Sequence, residues 1–152
     1  QSEFKLYESN LMDITTILRL PFVFSSDDYT SRFQSLCEIS LTYGDSNIPS
    51  SFRYSLLRKD DAALAIIKIL NSKPIGIADL SNLGCITSKK LVQIVKDSAK
   101  MIKGDINTVN DNFPYSIKKD ICLKSSKVKI NLPLYDAVRI EAKNYWLSRN
   151  MT

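Results

Sequence analysis

The chain has 152 residues and a formal net charge of +5, with 44% hydrophobic, 24% charged and 9% aromatic residues. This composition suits one folded domain of ordinary size and excludes a disordered or collagen-like chain. Glycine and proline are scarce, at four and five residues, which favours helix-rich structure over a sandwich or barrel. No apolar run is long enough to span a bilayer, and we expect no secretory signal.

The side chains that most often carry catalysis are missing. Histidine is absent, which removes the usual general base and zinc ligand, and no glycine-rich phosphate-binding loop occurs. Cys37, Cys85 and Cys122 are widely spaced, so we expect reduced, buried thiols rather than a disulfide. We therefore predict a protein that is not an enzyme and that needs no cofactor, metal ion or small-molecule substrate.

Two helices are predicted in the first third of the chain. Apolar residues at helical spacing predict a first helix from about Phe4 to Leu18, ended by Pro21. Ser26 then fits an N-cap, with acidic residues in the first turn of a second helix. The face of that second helix carries Tyr29, Phe33, Leu36, Cys37 and Ser40. We interpret residues 1–50 as a helical extension that packs on a core formed by residues 51–152.

Three further helices are predicted between residues 60 and 104. Asp60 and Asp61 open a helix whose body is apolar almost all round, which predicts a central buried helix. A short helix follows over residues 77–83, and Gly84 fits its C-terminal turn. The third helix begins at Thr87 or Ser88 and ends at Gly104–Asp105. Its predicted buried stripe is Leu91, Ile94, Val95, Ala99 and Ile102.

A β-hairpin and a last helix complete the predicted elements. Apolar residues alternate with polar ones on both sides of Ser125–Ser126, as half-buried strands joined by a short turn do. The apolar positions are Ile117, Ile121 and Leu123 on one side, and Val128, Ile130 and Leu132 on the other. Pro133 ends the hairpin. A helix then follows, with an apolar set of Leu134, Ala137, Val138, Ala142, Tyr145 and Trp146.

The positive charge is concentrated in the third helix and the hairpin. Between Ile86 and Ile130, ten lysines oppose four aspartates. Lysine holds phosphate well, whereas base reading prefers arginine or an amide, so any DNA contact should be salt-sensitive and independent of sequence. The same lysines also fit a solvated face that keeps the domain soluble. The candidate nucleic-acid residues are Lys89, Lys90, Lys96, Lys100, Lys103, Lys124 and Lys127.

The last helix offers a second candidate surface. Its apolar residues spread more widely than a single buried stripe requires, and tryptophan and tyrosine are frequent interface anchors. The candidate protein-interface residues are Tyr135, Ile140, Tyr145, Trp146 and Leu147. Packing of the first block of helices over this helix would bury the same residues within one chain, so both readings stay open.

The order of elements over residues 60–132 resembles the winged-helix family. The likeness is carried by DDAALAIIKIL, by IGIADLSNLGCITSKKLVQIVKDSAKMI and by SIKKDICLKSSKVKINLPL. The fold class that this resemblance implies is mainly α with a small β hairpin: a winged helix-turn-helix with an N-terminal helical extension. The composition is similar to that of budding-yeast silencing proteins related to the largest origin-recognition-complex subunit. This second resemblance implies a nuclear heterochromatin protein whose terminal domain self-associates and whose partners include other chromatin proteins.

Two functional hypotheses follow from these observations. The first is a non-enzymatic homodimerisation module of a nuclear chromatin-silencing protein. The second is a DNA-binding winged helix that uses the lysine face without reading sequence, as a transcription repressor could. Neither hypothesis involves a membrane.

Overall fold

A computed structural model describes residues 5, 8, 9, 11, 14–27, 32–42, 48, 52–104 and 120–150 of the chain. The helices in that part are α1 (Arg32–Thr42), α2 (Lys59–Ser72), α3 (Ser88–Lys103) and α4 (Leu134–Asn150). The strands are β1 (Thr16–Arg19), β2 (Phe22–Phe24), β3 (Arg53–Tyr54), β4 (Leu56–Arg58), β5 (Gly76–Asp79) and β6 (Ile86–Thr87).

Strands that lie far apart in the sequence pair with each other. β1 pairs with β5 and β2 pairs with β4, both in parallel, while β3 and β6 are antiparallel. Parallel neighbours require a crossover connection, and α1 provides it between β2 and β4. The architecture therefore alternates β and α elements around parallel strand pairs. The predicted fold class, mainly α with a small hairpin, is wrong.

One bent segment serves both parallel pairs. β1 and β2 are separated only by Leu20 and Pro21. Proline has no backbone N–H and cannot donate to a continuous ladder, so the segment changes its partner at this point. Beyond β5, the backbone N–H of Leu80 donates to the carbonyl of Arg19 at 3.1 Å, and that of Asn82 donates to Leu56 at 3.1 Å.

The parallel strands lie between two apolar clusters. Leu56 and Leu57 are neighbours on β4, and their side chains belong to different clusters. This is the pattern of a parallel strand that is covered on both faces. The larger cluster joins α1, α3 and α4 around Phe24, Leu56 and Ile86. The smaller one joins α2 and β5 with Leu57, Leu80 and Val128.

Two predicted helices contain strands instead. The predicted first helix is wrong over Thr16–Arg19, which forms β1, and the predicted short helix after Pro74 is wrong because Gly76–Asp79 forms β5. Thr16 and Ile17 are β-branched and favour a strand. Gly84 has a positive φ, +102°, as the predicted C-terminal turn would require, although no helix ends there. Local periodicity could not reveal that the partner of each strand lies far along the sequence.

The predicted hairpin is also wrong within the described residues. Residues 120–133 form no paired ribbon, and Ile117 lies outside the described part. Ile121 bonds to β3 instead: its N–H donates to the carbonyl of Arg53 at 2.8 Å, and its carbonyl accepts from Ser55 at 3.0 Å. A second backbone contact joins Leu83 to Pro133. The alternation that predicted a hairpin therefore belongs to an irregular segment that lies across other elements. We call residues 120–133 the strapped segment.

The remaining helices agree with the sequence analysis in their main span, but the predicted cap at Ser26 is wrong because α1 begins at Arg32; Tyr29 of the predicted face lies outside the described residues. Phe33, Cys37 and Ser40 of α1 are buried, as predicted. Thr87 caps α3 by accepting from the N–H of Lys90, and Gly104 ends that helix. The predicted apolar set of α4 is buried throughout. In α2, by contrast, the prediction of a helix is confirmed but the prediction of a buried one is wrong, because Leu64, Ile67 and Leu70 are exposed.

The cysteine prediction is half wrong. Cys37 is a buried free thiol, as expected, but Cys85 and Cys122 form a disulfide with their Cα atoms 5.9 Å apart. Tyr54 of β3 explains this meeting, because it pairs with Ile86 and also bridges to Ile121. The two cysteines are therefore brought into disulfide range from positions 37 residues apart. No helix in the described part of the chain is long and apolar enough to cross a membrane.

Candidate functional site

The strongest candidate site is a cleft where β2 ends and α4 passes over it. Ligands in α/β folds bind most often beyond the carboxyl ends of parallel strands, and β2 and β4 end together here. The cleft encloses about 510 Å³. We call it the polar cleft; its lining residues are Ser26, Asp27, Gln34, Asn144, Tyr145, Ser148 and Arg149.

An ion pair between Glu141 and Arg58 lies next to the polar cleft. Glu141 of α4 is buried; one of its carboxylate oxygens lies 3.3 Å from Nε of Arg58, and the other accepts from the N–H of Ser26 at 2.7 Å. Burial opposes the charge of Arg58, but bonding to Asp60 and the charges of Asp61 and Glu141 outweigh it, so the pKa of Arg58 is raised. A buried carboxylate is tolerated only with such partners.

Asn82 links β4, α2 and the segment before α4 through hydrogen bonds of its side chain. Its side-chain oxygen accepts from the N–H of Arg58 at 2.8 Å, and its amide donates to Asp61 at 2.8 Å and to the carbonyl of Leu132 at 3.3 Å. The side chain is fully buried, so each bond replaces one that water would have made. The junction of β4 with α2 is thereby fixed.

The rim of the polar cleft is charged. Nζ of Lys59 lies 2.7 Å from both carboxylate oxygens of Asp27. The Lys59 ammonium and the Ser25 hydroxyl, which donates to Asp27, hold the pKa of the Asp27 carboxyl below its usual value. Gln34 closes the loop by donating to the carbonyl of Ser26 at 2.8 Å. The loop after β2 is therefore held in one conformation by side-chain bonds.

A second cavity adjoins the polar cleft along α4. It encloses about 290 Å³ and shares Tyr145 and Arg149 with the cleft. Tyr145 donates to Glu38 at 2.6 Å, and Arg149 donates to the same oxygen at 3.0 Å. Burial and then the bond to Glu38 raise the pKa of Tyr145 to about 12. On the other side, the ammonium of Lys103 lies 4.9 Å from the centre of the Trp146 ring.

The structure spreads the predicted lysine face over different environments. Lys96 is buried. Lys103 lies against Trp146, and Lys124 and Lys127 belong to the strapped segment rather than to a hairpin. Lys89, Lys90 and Lys100 are exposed on α3.

The predicted interface residues of α4 are likewise divided. Tyr145 and Trp146 are buried against α1 and α3, whereas Tyr135, Ile140 and Leu147 are exposed. The two aromatic anchors therefore serve packing within the chain.

Sequence analysis missed most residues of the polar cleft. The sequence pattern places Asp27 in the first turn of a helix, and it gives no signal for Asn144 or Ser148. One signal was present: Glu141 falls on the apolar stripe of α4, between Val138 and Tyr145 at helical spacing. A charged residue on a buried face indicates a buried ion pair, although the sequence does not name Arg58 as its partner.

The fold is similar to about half of several enzymes of nucleotide-sugar metabolism. No protein-family model and no curated protein sequence matches the chain. UDP-N-acetylglucosamine 4-epimerase from Bacillus cereus is matched over 98% of this chain and 49% of that one, with 12% identity and a TM-score of 0.60. A dTDP-4-dehydrorhamnose reductase from Clostridium acetobutylicum is matched over 90% and 49%, with 11% identity and a TM-score of 0.65.

A dTDP-glucose 4,6-dehydratase from Bacillus anthracis, in complex with NAD, is matched over 98% of this chain and 48% of that one, with 14% identity and a TM-score of 0.63. The chain thus spans about half the length of these structures. The likeness overturns the winged-helix assignment, because it covers nearly the whole chain with a Rossmann-like β-α arrangement. The chromatin-silencing and DNA-binding hypotheses rested on that assignment and are wrong with it.

The described residues do not fit a dinucleotide. A dinucleotide-binding strand-to-helix turn needs closely spaced glycines and a helix N-terminus open to the pyrophosphate, and the sequence has no G-x-G-x-x-G. β4 runs directly into α2, whose first turn carries Asp60 and Asp61. β6 runs directly into α3, where the Thr87 side chain occupies the cap. Negative charge and the side-chain cap both oppose phosphate at these junctions.

Proposed function

We propose that this chain binds the glycosyl group of a nucleotide sugar in the polar cleft, as part of an epimerase- or reductase-like protein. The observation that carries the proposal is the cleft itself, a cavity lined by residues with hydrogen-bonding side chains at the carboxyl ends of a parallel strand pair. The likeness to enzymes that act on UDP- and dTDP-sugars supports the choice of ligand.

The lining of the cleft suits a neutral polyhydroxylated ligand. Sugar hydroxyls both donate and accept, so they match a mixture of amides, hydroxyls and a carboxylate. Gln34 and Asn144 supply amides, Ser26 and Ser148 supply hydroxyls, and Asp27 supplies a carboxylate at the rim. A volume of about 510 Å³ lies within the usual range for small-molecule sites.

Arg149 would fix the orientation of a bound nucleotide sugar. Arg149 lines both the polar cleft and the neighbouring cavity, so a phosphate held by its guanidinium would leave the sugar among the amides. Binding is the role proposed for this chain, and the absence of an enzymatic role of its own stays a prediction. The nuclear location also stays a prediction.

Calorimetric titration of the chain tests the proposal. UDP-N-acetylglucosamine and dTDP-glucose should bind more tightly than UDP and dTDP, because only the sugar nucleotides fill the polar cleft. Asn144→Ala should weaken sugar-nucleotide binding about fivefold, the effect of one lost hydrogen bond of about 1 kcal/mol. UDP and dTDP should bind the variant as they bind the wild type.

Lys143→Ala is the matched control. Lys143 is the neighbour of Asn144 on α4 and is also exposed, but it does not line the cleft. The affinity of the Lys143→Ala variant for UDP-N-acetylglucosamine should equal that of the wild type. Equal binding of sugar nucleotides and bare nucleotides, or equal losses in the two variants, would refute glycosyl binding at this site.

A further inference from the structure

The outer face of α2 is apolar and uncovered. Its exposed aliphatic residues are each between 54% and 66% exposed, values usual for surface lysines rather than for leucine and isoleucine. We call them the α2 face: Leu64, Ile67, Leu70 and the nearby Ile75. Contiguous apolar surface of this kind marks an interaction site more often than scattered apolar residues do.

Helical geometry makes this face a single ridge. Leu64, Ile67 and Leu70 recur every three residues, while the buried residues Ala62, Ala65 and Ile69 point to the opposite side. Ile67 lies at the centre of the ridge. The ridge is therefore a second apolar stripe, independent of the one that packs on the strands.

We propose that the α2 face is a two-fold contact with a second copy of this chain, in which the two α2 helices lie antiparallel. The charges of the helix favour this partner. Asp60, which is exposed, lies in the first turn, and the exposed Lys73 follows the last turn. In an antiparallel pair centred on Ile67, the acidic start of each helix approaches the lysine of the other, and the helix dipoles oppose.

The same arrangement pairs the apolar residues. Ile67 meets Ile67 of the second copy, and Leu64 meets Leu70 of the second copy. A helix of 14 residues is about 21 Å long. Stable interfaces bury about 800 Å² per partner, more than one ridge of this length supplies, so the dimer should depend on protein concentration.

Cysteine substitution tests the geometry directly. Ile67→Cys lies on the two-fold axis and should form a disulfide-linked species of twice the 17.2 kDa chain mass under mild oxidation. Leu64→Cys alone should not cross-link, whereas a mixture of Leu64→Cys and Leu70→Cys should. The wild type is the background control, since Cys37 is buried and Cys85 is bonded to Cys122.

Sedimentation velocity provides the second readout. The wild type should shift from monomer to dimer as concentration rises, and Ile67→Asp should abolish the shift. Met101→Asp places the same charge at an exposed apolar residue on α3, 73% exposed, and should leave the shift unchanged. A strict monomer, a dimer that survives Ile67→Asp, or cross-linking that fails at position 67 in a dimer would each overturn the proposal.

Discussion

α2 and α3 are helices of similar length with opposite relations to the core. α2 has the more apolar sequence, yet only Ala62, Ala65 and Ile69 of its 14 residues are buried. α3 is rich in lysine, yet eight of its 16 residues are buried, including Lys96. The composition of a helix is therefore a poor guide to its position. α3 is buried because α1 and α4 both pack on it, whereas α2 packs on the smaller cluster with one side only.

The largest expected effect comes from matched isoleucines on the two helices. Ile94→Ala on α3 should lower the free energy of unfolding by about 4 kcal/mol, because it leaves a cavity among α1, α3 and α4. Ile67→Ala on α2 should change it by less than about 0.5 kcal/mol. Urea denaturation at low protein concentration, where self-association does not contribute, measures both. Similar losses for the two variants would mean that α2 is also core.

The disulfide between Cys85 and Cys122 gives a second test of the comparison between α2 and α3, at the start of α3. It joins Cys85, just before β6 and α3, to the strapped segment and closes a loop of 37 residues. Replacing both cysteines with serine should lower the free energy of unfolding by about 3 kcal/mol, because the unfolded chain regains the freedom that the loop removed. Thermal unfolding with and without a reductant measures this. An unchanged midpoint in both experiments would show that the bond does not form.

The smallest effect is expected at Tyr145, where α4 meets α1. Its raised pKa, about 12, means that folding favours the neutral phenol. The resulting stabilisation is complete below pH 10 and is lost as the pH rises through 12. Ultraviolet titration should show a late phenolate step that Tyr145→Phe removes, with a loss of about 1 kcal/mol at neutral pH from the missing bond to Glu38. If the Tyr145→Phe variant keeps the late phenolate step, the contact between Tyr145 and Glu38 is contradicted.

Sequence patterns predicted the helices whose partners lie on one side. α1, α3 and α4 each carry an apolar stripe with helical period, and most of each stripe is buried. The N-cap at Thr87 and the C-terminal end at Gly104 depend only on neighbouring residues, so the sequence predicted them too. The prediction that α2 is buried is wrong because its second apolar stripe, centred on Ile67, is indistinguishable in sequence from a core stripe.

The strands and the polar cleft could not be predicted from local sequence patterns. β1 and β5 are four residues each, and their pairing joins residues far apart in the sequence. The polar cleft depends on the same long-range pairing, since Asp27 and Asn144 meet only after β2 pairs with β4 and α4 packs over them. Short strands without alternation leave no local signal of their partner.

Cross-strand nuclear Overhauser contacts test the parallel β-α arrangement most directly. We expect backbone contacts between Ile17 and Ile77 and between Val23 and Leu57, with the pattern of parallel strands. Antiparallel contacts between residues 121–124 and 127–130, with none between those two strand pairs, would instead establish a hairpin and contradict the fold on which the polar cleft depends.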